Sequence, residues 1–191
     1  IQEYFKEFLS FHPLFASTIG YSEYDGILMN YYSKEYSNSL RKFYIRYLKR
    51  LQTWKRKTIY HHILQYYLEK SLEYKKFPFH YLVLSKDGTI FQRIHSMVNH
   101  ETIPLRSDND LKNVISRYKK SISIIQTQEL VLREGIQKKI TVPKLIVRIA
   151  IEQLKTLEKK KFLLPKKEKN FNKDLLDCLL YTSDAADEDL R

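Results

Sequence analysis

The chain has 191 residues, enough for one domain with a real core, and it carries 34 Lys+Arg against 22 Asp+Glu. Its 1 Cys excludes a disulfide framework within the chain and a Cys-based zinc site, and no run approaches the roughly 18 apolar residues of a membrane span. With only 4 Gly and 5 Pro, the composition points to an all-α protein with few tight turns.

The chain opens on Ile1 inside a helical pattern rather than on Met, as though cut at the front, and no signal peptide is visible. Ser33 then stands as the N-cap of a long helix. Leu40, Phe43, Tyr44, Tyr47, Leu48, Leu51 and Trp54 recur on one face of it at helical spacing. A second long helix is expected from about Ile59 to Tyr74, with Leu64, Leu68 and Leu72 as its stripe. "KKFPFHYLVLSKDGTIFQRI" breaks the pattern and predicts an extended or turn segment near 77–92.

Helices resume at Ser107, where Asp110 three residues on completes a capping-box-like start. Leu111, Val114, Ile115 and Tyr118 form the expected stripe, which Ile122, Ile125, Leu130 and Val131 extend until Gly135 breaks it. Pro143 fits the first turn of the next helix, which carries Ile146, Ile149, Ala150, Leu154 and Leu157. A last helix is expected near Lys167. The whole reads as about six helices in an antiparallel array, without internal repeats.

The tail "CLLYTSDAADEDLR" differs from everything before it. From Asp174 to the end stand 6 acidic residues and 1 Arg, which leaves 33 basic against 16 acidic residues, a net +17, on 1–173. Residues 178–188 resemble the translation of a transposase adapter used in preparing sequencing libraries, such as metagenomic ones. On that reading 178–191 is an artefact of sequencing, Cys178 included, and 1–177 is the native part of a truncated gene. The charge of the body suits nucleic acid or an anionic membrane. It equally suits a Lys-rich composition, because the basic residues are spread from Lys6 to Lys173 and charge runs are usually solvated faces.

Motifs for chemistry are sparse. The six His are His12, His61, His62, His80, His95 and His100. "NHETIPL" begins like HExxH, but Pro104 stands where the second His belongs, so His100 is not expected to bind zinc. His61 and His62 are neighbours, which point about 100° apart on a helix. Glu129, Glu134 and Glu152 offer carboxylates that no spacing singles out. The 15 Tyr and 10 Phe suggest a stacking surface for single strands, although many sit at core spacing and packing explains them more simply. No catalytic, cofactor-binding or metal-ligating residue is assigned.

Two ordered stretches carry a resemblance. "FHPLFASTIGYSEYDGILMNYYSKEY" presents Pro13, Ala16, Thr18, Gly20, Tyr24, Asp25 and Ser33. "IPLRSDNDLKNVISRYKKSISIIQTQELVLREGIQKKITVPKLIVRIAIEQL" presents Pro104, Leu105, Asp110, Arg117, Arg133, Glu134, Gly135, Ile136, Pro143 and Lys144. In this order they resemble the N-terminal part of the bacterial domain-of-unknown-function family 885, with Ser17 inserted where that family has Ala and Thr adjacent. The resemblance implies a long helical protein, exported to the periplasm or lipid-anchored, that looks like zinc metallopeptidases. It also implies a HExxH motif in a C-terminal half beyond this chain, zinc as the cofactor of the full-length protein, and a peptide-like substrate. The fragment is then expected to be inactive, with no cofactor and no specific nucleic acid partner of its own. The alternative expectation is a basic helical module that binds nucleic acid or another protein.

Overall fold

The computed structural model describes residues 2–55, 57–85, 93 and 105–159, and all regular structure among them is helical. Six α-helices follow in order: α1 Gln2–Phe11, α2 Pro13–Thr18, α3 Lys34–Gln52, α4 Ile59–Tyr74, α5 Asp108–Gln137 and α6 Lys144–Lys159. Two 3-10 turns, Ser22–Tyr24 and Pro78–Tyr81, punctuate the connections. The expected helix near Lys167 and residues 86–92 of the segment 77–92 lie outside the described residues. Where 77–85 is described, it holds the 3-10 turn rather than a strand, and Pro78 opens that turn because its fixed φ suits a first helical position.

The helix starts follow local chemistry. Ser33 Oγ accepts from the Tyr36 amide at 3.1 Å to cap α3. Ser107 and Asp110 exchange bonds reciprocally at the head of α5, the hydroxyl taking the Asp110 amide at 3.2 Å and the carboxylate the Ser107 amide at 3.0 Å. At α4 the capping partner of Thr58 is His61, whose Nδ1 lies 2.8 Å from the Thr58 hydroxyl and 3.1 Å from its amide.

An aromatic core joins α1, α3 and α4. Tyr4, Leu40, Phe43, Tyr44, Tyr47, Leu51 and Leu68 are buried together, with Phe8, Phe11, Leu64 and Leu72 packed against them. Its rings meet edge-on or offset, as their quadrupoles favour; Tyr4, for example, stacks on Phe43 at 5.3 Å and takes Tyr47 edge-on at 5.1 Å. Glu3 and Glu7 of α1 reach Arg50 and Arg46 of α3 across the rim, and Tyr47 donates to Glu7 at 2.9 Å.

Two expectations change. Trp54 leaves the buried stripe because α3 ends at Gln52 and the chain turns there; its half-exposed ring lies 4.6 Å from that of His61. Gly135 does not break α5, which runs on to Gln137. A glycine inside a helix costs only about 1 kcal/mol, and here it allows a close approach. A Cβ at Gly135 would stand 2.7 Å from the Ile140 carbonyl and 3.2 Å from Tyr81 Cβ. The helix stops two residues later, after which Lys139 takes a positive φ of 59° and the Ile140 amide turns back to the Gly135 carbonyl at 2.8 Å.

Candidate functional site

The inward stripe of α5 is only partly apolar. Val114 and Tyr118 are buried as expected, but Ile125 and Leu130 of the expected stripe are exposed, and Ile124, Arg117, Ser121 and Gln128 occupy the buried face instead. Arg117 is completely buried, and its guanidinium is directed at the segment that follows α1. Nε donates to the Ile27 carbonyl at 3.1 Å. Nη2 donates to Ser17 Oγ at 2.7 Å and to the Tyr24 carbonyl at 2.8 Å, with a longer contact of 3.4 Å to the Pro13 carbonyl. The planar fork of an arginine suits this task, because one rigid group presents several donors in fixed directions.

The surroundings complete the pin. Burial pushes the Arg117 pKa down, while the charge of buried Asp25 and then Tyr31 act in the opposite direction. Ser116 donates to the Gly26 carbonyl at 3.3 Å, and Asn30 donates through its amide to Thr127 Oγ1 at 2.8 Å. Gly26 packs so closely that a Cβ there would stand 2.7 Å from Asn113 Oδ1. Burial raises the Tyr31 phenol to about 12. Residues 13–30 are thus bound along α5 by polar side chains, while α1, α3 and α4 are joined by aromatic packing.

Several residues of the two sequence stretches meet here: Pro13, Ala16, Tyr24, Asp25 and Arg117. Ser17, the departure from the family pattern, is the side-chain acceptor nearest the guanidinium. Spacing alone did not single out Ser17, Asn30, Thr127 or the carbonyl of Ile27. Pro104 lies outside the described residues. Glu134 accepts from Tyr81 at 2.8 Å and pairs with Lys138 at 3.0 Å, and those two contacts hold its carboxyl below the usual range. Glu129 is paired with Arg133 and Glu152 with Lys155. A carboxylate stabilised by a cation is a poorer proton acceptor, so Glu134 is ill suited to general-base work.

The histidines do not converge. His12 lies against Phe8 with ring centroids at 4.2 Å, and burial lowers its pKa. His61 is engaged at the start of α4, His62 and His80 are exposed, and His95 and His100 lie outside the described residues. Among the described residues no three His, Cys, Asp or Glu side chains come together to hold a metal. A groove of about 530 Å³ opens beside α6, lined by Val142, Lys144, Val147, Arg148, Ile151 and Glu152. No helix among the described residues is long and apolar enough to cross a membrane.

These features define an all-α protein in which a polar constellation around Arg117 holds the N-terminal segment 13–30 in place. A family model described as bacterial protein of unknown function (DUF885) matches residues 13–190, and the chain belongs to that family. The matched span opens at Pro13, the first acceptor in the Arg117 network, and it includes most of the tail at 178–191. No curated protein and no solved structure matches the chain.

Proposed function

We propose that these residues form the N-terminal helical scaffold of a zinc-dependent peptidase-like protein, inactive by themselves, with a zinc-binding HExxH motif carried by a further C-terminal segment. The observation that carries this reading is the engagement of Arg117 Nε and Nη2 in internal bonds within a member of the family. The network positions residues 13–30 against α5, which is how a wall of a cleft is held rigid. The pairing of Glu129, Glu134 and Glu152 with cations also supports a structural role.

The test compares the purified chain with a longer product, read outward from the source DNA past the Asp177 codon. The chain alone is expected to hold no stoichiometric zinc by plasma mass spectrometry and to leave a peptide library uncut. The longer product is expected to bind one zinc and to cleave. Zinc binding or peptide cleavage by the chain alone would overturn the reading, as would a longer product without HExxH.

A further inference from the structure

The inward side of α4 behaves as its sequence predicts, but its outward side does not behave as a solvent face. At 100° per residue, Tyr66, Ile59, Lys70, Ile63, Tyr74, Tyr67 and Tyr60 fall within an arc of roughly 120° opposite Leu68. Their exposures include 65% for Ile59, 67% for Tyr60, 59% for Ile63, 63% for Tyr66 and 59% for Tyr74. A helix that is apolar on both sides is ordinarily covered on both. The band continues past the C-terminal end of the helix with Phe77 and Phe79, Phe79 stacked on Tyr74 at 4.4 Å.

The charges along this band indicate what covers it. Lys55, Lys57 and Lys76 are exposed at its two ends and form no ion pair with described residues. The acidic flank is already engaged: Glu73 pairs with Lys70 at 2.7 Å, and Glu69 accepts from Gln65 at 2.8 Å. The Lys70 ammonium also stands 5.9 Å from the Tyr66 ring centroid. A row of flat π faces edged by unpaired cations complements a polyanion that carries flat π faces of its own. A second copy is disfavoured because each chain carries a formal +12.

We propose that the outward face of α4 binds single-stranded nucleic acid without sequence preference, the bases stacking on Tyr60, Tyr66 and Tyr74 and the phosphates tracking toward Lys55, Lys57 and Lys76. The helix is about 24 Å long at 1.5 Å per residue, enough for a site at the short end of the range of about 4–16 nucleotides seen for stacking platforms. The proposal is independent of the scaffold reading, because it uses none of the residues around Arg117.

The experiment is fluorescence anisotropy of the full chain with a labelled oligothymidylate of about 15 nucleotides, a length within that range, across a salt series. Binding is expected at low salt, weakening steeply as salt rises, with the single strand preferred over a duplex of equal length. Tyr60→Ala, Tyr66→Ala and Tyr74→Ala are each expected to weaken it at least about fivefold while the melting curve stays in place, and Tyr66→Phe to retain it. Lys55→Gln and Lys57→Gln are each expected to reduce the salt slope by about 0.7. No binding at low salt would overturn the proposal, and so would binding that the tyrosine variants leave intact. If those variants instead abolish self-association in light scattering, or adsorption to anionic phosphatidylserine vesicles, the face belongs to that other partner and the proposal fails.

Discussion

Replacing Arg117 by Met keeps most of the aliphatic stem and removes every donor. Ser17 Oγ and the carbonyls of Tyr24 and Ile27 then lose a charged partner at 2.7–3.1 Å, and buried Asp25 loses the cation beside it. Bonds to a charged group are worth about 1.5–3 kcal/mol each, but the wild-type protein also bears the cost of desolvating a guanidinium, so the three do not simply add. Breaking a buried charged network from one side typically costs about 3–5 kcal/mol, and that is the expected loss. It is a large share of the roughly 5–15 kcal/mol that holds a domain together. Urea unfolding followed by far-UV circular dichroism measures it, and a cycle with Ser17→Ala resolves the mechanism. Alone, Ser17→Ala is expected to cost about 1.5–3 kcal/mol; in the Arg117→Met background it should cost almost nothing, because its donor is gone. A loss below about 1 kcal/mol for Arg117→Met, or plain additivity of the two changes, would refute the argument.

Gly135→Ala gains helix propensity of about 1 kcal/mol, yet it is expected to lower the denaturation midpoint, since the new methyl meets the Ile140 carbonyl at 2.7 Å. His12 has its pKa lowered by burial from an ordinary 6.5. A depressed histidine is neutral in both states above that value, and below it the unfolded chain takes up a proton that the fold resists. Stability is therefore expected to fall as the pH drops below 6.5, and His12→Phe to flatten that slope in denaturant titrations at pH 7 and pH 5. On α6, Leu145 and Ile151 are exposed beside the groove, which favours aggregation of the isolated chain. Leu145→Glu with Ile151→Lys is expected to sharpen its gel-filtration peak without changing its circular dichroism.

Local signals were legible wherever the physics is local. The caps at Ser33 and Ser107, the limits Ile59 to Tyr74 and the buried Tyr-rich face of α3 all depend on neighbours within a turn or two. Arg117 was legible only as one letter of a resemblance, because its acceptors lie 90–104 positions away in the chain. A residue-level clue did exist: Arg117, Ser121 and Gln128 continue the spacing begun by Val114, so polar residues occupy an apolar stripe. Gly135 reads as a stop in the sequence because a helical glycine required for close packing looks the same there as one that ends a helix. The aromatics taken together read as packing, whereas Tyr60, Tyr66 and Tyr74 of α4 lie opposite the expected Leu64, Leu68 and Leu72 stripe and are exposed.

The reach of Arg117 also sets an order of events during synthesis. The aromatic core of α1, α3 and α4 is complete once about 75 residues have left the ribosome, since its last helix ends at Tyr74. The segment from Pro13 to Asn30 has to wait for α5, whose arginine is made 104 positions after Pro13. At about 5–20 residues per second that is a delay of several seconds. Throughout it, the Ser17 hydroxyl and the Ile27 carbonyl lack the guanidinium that later donates to them. The nascent chain is thus a closed aromatic bundle with a loose strap, and the pin that fastens the strap is among the later parts to be made.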